Sequence, residues 1–269
     1  MMFDVAHGNV VYLFAHPDDE FACSMPIRAQ TRRGVSVHCV FTTDGGHGGQ
    51  SVFRRQQESR RVLARLGVPC SNIHFLGEAH GFPDGGLHKK LAEASLALES
   101  CFEQITNVRA VALPAWEGGH QDHDATHLIG VELTLRLNIP LVRQFPLYNG
   151  AGLPGPLFKV MAPLCDNGPV RSYRAGMAER LFAVMLCFHY VSQWKTWVGL
   201  LPFFTWHLLT RGTFPEQDVS LARIRETPHP GSVLYERRGF LKFSEFNAEV
   251  EKFLAARSPD DATVRASLE

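Results

Sequence analysis

The sequence lacks a surplus of either charge. Its 269 residues hold 27 Lys+Arg against 27 Asp+Glu, a formal net charge of zero with the 13 histidines counted as neutral. A chain with no global positive field does not suit general nucleic-acid binding, and no nucleic-acid partner is expected. A CxxC pair is also missing. The six cysteines (Cys23, Cys39, Cys70, Cys101, Cys165, Cys187) are scattered along a chain too long to need disulfide staples. They read as reduced thiols of a reducing compartment, so a cytoplasmic location is expected and a thiolate metal site is not. Long apolar runs are absent. Residues 196–210 carry no formal charge but are too short to span a bilayer and contain Pro202. Residues 1–9 include Asp4 and show no apolar run behind a basic start, so no signal peptide is expected. There is no internal repeat and no low-complexity tract. What remains is ordinary globular composition, 45% hydrophobic and 20% charged. The length suits one large α/β domain. The histidines favour a metal or acid–base site without locating it.

Residues 10–15 and 35–42 are short runs of strand formers. Between them, 21–33 is expected to be a helix, with Arg28, Arg32 and Arg33 in its last turns and Gly34 as its stop. That makes a βαβ unit with a right-handed crossover. The alternation continues with a helix over 53–66 stopped by Gly67, a strand over 72–76, a helix over 87–105 and a strand over 108–113. A helix over 124–137 and a strand over 140–148 follow. The predicted fold is α/β, a Rossmann-like, doubly wound, mostly parallel sheet. After Gly150 the character changes. Residues 151–169 are rich in Gly and Pro, 175–197 read as one helix, and Trp194, Trp197, Phe203, Phe204 and Trp206 make 194–206 strongly aromatic. The expected organisation is a metal-binding catalytic core over 1–150, a helical, aromatic accessory lobe of the same domain over 151–257, and a flexible tail over 258–269. The aromatic segment is read as helices covering the sheet. A surface touching a membrane is the alternative, and a homo-oligomer stays open.

In open parallel sheets ligands bind beyond the carboxyl ends of strands. After the first strand comes His16-Pro17-Asp18-Asp19-Glu20. Such carboxylates repel one another unless a cation or proton intervenes. After strand 108–113 comes a second cluster, His120-Gln121-Asp122-His123-Asp124. Two such clusters can meet above one sheet and supply two imidazoles and a carboxylate, the pattern of catalytic zinc: three protein ligands and an open position. Each cluster alone also reads as a solvated helix N-terminus or an exposed polar loop. Carboxylates alone suit magnesium, but the imidazoles favour zinc.

The run Ala15-His16-Pro17-Asp18-Asp19-Glu20 after an apolar strand resembles the signature of the LmbE-like (PIG-L) zinc-dependent deacetylases. His120-Gln121-Asp122-His123 resembles that family's His-x-Asp-His element. Thr43-Asp44-Gly45 is similar to its loop after the second strand, although Gly46-His47 departs from the usual Gly-Glu form. Arg55 and Glu58 ahead of Leu66-Gly67, the Pro83-Asp84-Gly85 element and Ser192-Gln193 also match, so the resemblance covers roughly residues 9 to 195.

The resemblance implies that His16, Asp19 and His123 bind one divalent metal ion, most simply Zn2+. It implies Asp18 as the general base that deprotonates metal-bound water. His120 is the expected cationic donor to the oxyanion and to the leaving amine, oriented by Asp122. Arg55 and Asp84 are expected to touch substrate. The expected activity is removal of the N-acetyl group from an N-acetylglucosamine-type amino sugar or glycoconjugate, releasing acetate and free amine. Two alternatives remain: a zinc-dependent amidase acting on another N-acyl amine, and a catalytically silent sugar- or nucleotide-binding module.

Overall fold

The computed structural model describes residues 8–46 and 51–257. Residues 1–7, 47–50 and 258–269 lie outside the described residues. The first half alternates: β1 (Asn9–Phe14), α1 (Ser24–Arg32), β2 (Ser36–Phe41), α2 (Val52–Arg65), β3 (Ile73–Phe75), α3 (Leu76–His80), α4 (Leu91–Gln104), β4 (Val108–Pro114), α5 (Gln121–Arg136) and β5 (Leu141–Phe145). The second half adds a small hairpin, β6 (Tyr148–Asn149) and β7 (Lys159–Val160). It continues with β8 (Val170–Arg174), α6 (Met177–Cys187), α7 (Trp194–Thr210), β9 (Thr213–Asp218), α8 (Leu234–Arg237) and α9 (Phe243–Ala256).

The sheet has seven strands in the order β3-β2-β1-β4-β5-β9-β8. The first five run parallel, while β9 pairs antiparallel with both β5 and β8. This is the mostly parallel α/β sheet that the sequence predicts. Because side chains alternate along a strand, Val10, Tyr12 and Phe14 enter one core layer and Val11 and Leu13 the other. A strand covered on both faces reads as a continuous apolar run, which is why β1 and β4 are legible in the sequence.

The strand order reverses between β1 and β4, the crevice where ligands of doubly wound sheets bind. His16 follows β1, and His120 precedes α5 just beyond β4. Both predicted clusters therefore lie at the same end of adjacent strands.

Three local expectations change: the strand expected over 140–148 divides into β5 and, in a separate two-stranded sheet, β6. The single helix over 175–197 is broken into α6 and α7 by a turn and a short 3-10 segment, Val191–Gln193. Tertiary bonds capture that break: Ser192 donates from its backbone N–H and its Oγ to Glu58, and Gln193 Nε2 donates to Pro17 O at 2.7 Å. The helix expected over 21–33 starts instead as a 3-10 turn, Asp19–Cys23, and becomes α1 only at Ser24. No helix among the described residues is long and apolar enough to cross a membrane.

Candidate metal centre

The loop after β1 is organised by its own carboxylates. Asp19 Oδ2 accepts the backbone N–H groups of Ala15 and His16 at 3.0 and 2.8 Å. That fixes Asp19 and leaves its Oδ1 facing His123 Nε2 at 3.2 Å. His16 Nδ1 lies 3.3 Å from His123 Nε2 and 3.6 Å from Asp19 Oδ2. A tetrahedral ion with bonds of about 2.0–2.1 Å spaces its ligand atoms by about 3.3–3.4 Å. The His16–His123 and His123–Asp19 Oδ1 distances fit such an ion, and the donor set of two imidazole nitrogens and one carboxylate is of the zinc class. All three residues are buried.

The electrostatics point the same way. Burial alone would lower the His16 pKa, yet the carboxylates of Asp84, Asp122 and Asp19 hold it well above the ordinary value. Burial alone would raise Asp19, yet His123 and His16 keep it well below the usual carboxylate range. The pocket favours positive charge at its centre, as a cation site must.

Asp18 stands beside this centre with a backbone φ of 132°, a conformation an L-residue rarely adopts. Its backbone N–H donates to Glu20 Oε2 at 3.0 Å, and its carbonyl accepts from Phe21 N–H. Burial pushes the Asp18 carboxyl above the ordinary range, against the pull of Arg55, 3.6 Å away. Glu20, fully buried, is itself raised to about 7 by desolvation. The sequence shows the acidic run; only the structure separates Asp19 facing the centre, Asp18 beside it and Glu20 bracing the backbone.

The second cluster is arranged differently from expectation. Asp122 orients His16 rather than His120. Its Oδ2 lies 3.1 Å from His16 Nε2 and 3.9 Å from His120 Nδ1, and Asp122 also accepts the backbone N–H groups of Gly85 and Leu87. The reason is local: His120 is the N-cap of α5, and its Nδ1 accepts the Asp122 backbone N–H at 3.2 Å. That bond places the proton of neutral His120 on Nε2. Burial, reinforced by His16, pushes the His120 pKa down to about 3. His120 is therefore a neutral imidazole and not the cation that the sequence suggests.

Arg55 is likewise placed differently. It is buried, and its guanidinium donates to the carbonyls of Gly45 and Pro17 (the latter at 3.1 Å) and to Asp84 Oδ2 at 3.0 Å. With those donors used inside the protein, Arg55 is a brace between the Pro17, Gly45 and Asp84 loops. Asp84 lies at the rim, 3.4 Å from His16 Nε2, and its backbone N–H is held by Asp44.

Sequence reasoning missed Glu117 and Tyr148. Glu117 accepts the backbone N–H groups of Leu147 and Tyr148 at 2.7 and 2.9 Å and the Asn149 side chain at 3.1 Å. It thereby sets Tyr148 edge-on to His123, ring centroids 5.4 Å apart. Gly119 permits this closeness, since a Cβ there would sit 1.9 Å from Tyr148 O. The signal was available only as a carboxylate just after a strand end.

The family model described as GlcNAc-PI de-N-acetylase (PIG-L) matches residues 11–134. A protein described as the uncharacterized deacetylase YaiS, of Escherichia coli strain K12, is 29% identical over 124 residues, 44% of this chain. The match spans 64% of that relative, less than two thirds of its length. A deacetylase of teicoplanin biosynthesis has a similar fold: TM-score 0.60, 17% identity, 79% of this chain and 99% of that one covered. So does N,N'-diacetylchitobiose deacetylase from Pyrococcus horikoshii: TM-score 0.51, 18% identity, 78% and 83% covered. The 4-carboxy-2-hydroxymuconate hydratase GalB of Pseudomonas putida KT2440 shares the fold too, with TM-score 0.52, 13% identity, and 80% and 96% covered. One fold hosts different reactions, so the chemistry must be argued from the site.

Proposed function

We propose, from the match of residues 11–134 to the PIG-L family model and from the geometry of the site, that the chain is a metal-dependent hydrolase that deacetylates an N-acetylated amino sugar or glycoconjugate. The observation that carries the reading is the convergence of His16 Nδ1 and Asp19 Oδ1 on His123 Nε2, at 3.3 and 3.2 Å. His16, Asp19 and His123 would hold one divalent ion, zinc by the donor set. When bound, such an ion supplies Lewis-acid polarisation of the acyl carbonyl and lowers the pKa of water to about 7.

The remaining steps belong to the chain. Asp18, desolvated and therefore basic for a carboxylate, accepts the proton of the attacking water. The new C–O bond puts negative charge on the former carbonyl oxygen, and His120, neutral with its proton on Nε2, is the donor available to it. Asp18 then returns its proton to the nitrogen as the C–N bond breaks, giving acetate and a free amine. Asp122 holds the His16 ring so that Nδ1 keeps its lone pair for the ion. Arg55 fixes Pro17 and Asp84 around the reacting group. Asp84, at the rim, is the carboxylate that sugar hydroxyls would meet.

The test is acetate release from a panel of N-acyl amines by zinc-loaded protein. Turnover of N-acetylglucosaminyl compounds supports the reading. Turnover of other N-acyl amines alone moves it to a broader amidase. Binding of a sugar or nucleotide with no product under any divalent metal refutes it in favour of a silent binding module.

A further inference from the structure

Helices α6 and α7 each have two apolar faces. On the inner one, Trp197, Leu200, Phe204 and Leu208 are buried. Trp197 and Phe204 pack edge-on against Phe21 with centroids 5.3 and 5.1 Å apart. That stripe covers the sheet, as the sequence predicts. The outer face is apolar as well. Met185, Phe188, Trp194, Val198 and Trp206 are 61–69% exposed, and the row continues through Leu181 and Met177 on α6. A helix apolar all round is normally buried. A row of exposed apolar side chains differs from the singly scattered ones of an ordinary surface.

The charges along the segment that forms it are one-sided. From residue 180 to residue 215 there is no Asp or Glu, while Arg180, Lys195 and Arg211 are present. Just ahead of that stretch, Glu179 is held by the Tyr173 hydroxyl and the Gly176 N–H. Arg28, on α1, lies against Phe182 of α6, 4.3 Å from the ring centroid. The chain as a whole is neutral, so this basic rim is a local concentration. A second copy of the face would bring like charges together.

We propose that the outer face of α6 and α7 docks on a lipid surface containing anionic headgroups. The apolar side chains enter the boundary between headgroups and acyl chains, Trp194 and Trp206 sit at headgroup depth, and the basic rim meets the phosphates. The face is joined to the metal centre by one row of aromatic contacts. Phe203 meets Phe158 at 5.7 Å, Phe158 meets Tyr148 at 5.8 Å, and Tyr148 meets His123 at 5.4 Å. Docking therefore fixes the orientation of the site relative to the surface, whatever reaction the site performs.

Flotation of the full chain with phosphatidylcholine vesicles, with and without phosphatidylglycerol, tests this directly. The expected result is binding that rises with phosphatidylglycerol and falls with salt. The triple variant Met185→Glu, Val198→Glu, Trp206→Glu should bind at least about tenfold more weakly, with its melting temperature and metal content retained. If the triple variant fails to fold, Lys195→Glu with Arg211→Glu gives the same test through the rim. No wild-type binding to either vesicle overturns the proposal. So does a dimer in light scattering that the same substitutions dissolve while vesicle binding is absent. Because the readout is binding, a failure of the deacetylase reading leaves the result unaffected.

Discussion

His16 Nε2 lies 3.1 Å from Asp122 Oδ2 while the opposite ring nitrogen, Nδ1, lies 3.3 Å from His123 Nε2. One imidazole is thus held by a carboxylate on one side and turned toward the candidate metal position on the other. Outer carboxylates of this kind fix ring orientation and tautomer. Asp122→Asn is expected to weaken zinc affinity by about 10–100-fold. Competition against a fluorescent chelator measures it; an unchanged affinity would contradict the assigned role.

Asp18 is expected to act without binding the ion. Asp18→Asn should leave zinc stoichiometry near that of the wild type while acetate release falls by about 10²–10⁴-fold. Metal analysis and turnover on the same sample separate the two effects. Loss of zinc together with activity would instead make Asp18 a ligand.

Arg55 is expected to matter for stability as much as for turnover. Arg55→Met leaves Asp84 and the Gly45 carbonyl without their buried guanidinium donor. The expected loss is about 3–5 kcal/mol, the usual consequence of removing one partner of a buried ion pair. Denaturant unfolding followed by circular dichroism reads it. A loss of substrate affinity with unchanged stability would restore the substrate-contact role that the sequence suggests.

Much of the candidate site was legible because its residues follow β1 and β4, whose buried apolar runs mark where the chain leaves the sheet. The pairing of Asp122 with His16 was not legible. Sequence spacing puts Asp122 nearest His120, and only the N-cap bond at His120 Nδ1 shows that this ring is already committed to the backbone. In the fold, β8 and β9 were missed for a physical reason. β8 reads Val-Arg-Ser-Tyr-Arg and is mostly exposed, and β9 contains Pro215. Polar edge strands carry no apolar run, and a proline demotes a strand assignment. The break between α6 and α7 rests on bonds from Glu58 and Pro17, far away in sequence.

Glu216 on β9 sets a pH dependence of stability. Burial raises its pKa from 4.5 to about 7 against the opposing pull of Arg143. The folded state then holds a proton that the unfolded state releases between these values. Stability from this group is complete below about 4.5 and is lost as pH rises through about 7. Glu216→Gln should match the wild type at low pH and exceed it progressively above pH 4.5, levelling off past pH 7. Melting temperatures across that range check the sign, and a wild type that gains on the variant as pH rises would contradict it.

Hydrolysis of an N-acetyl group is proposed to occur at a single divalent ion held by His16, Asp19 and His123. It is tested most directly by acetate release from an N-acetylglucosaminyl compound during zinc titration of exhaustively chelated protein. No release is expected from the stripped protein, with recovery that saturates at one zinc per chain. Full release from protein shown by elemental analysis to hold no metal would contradict it.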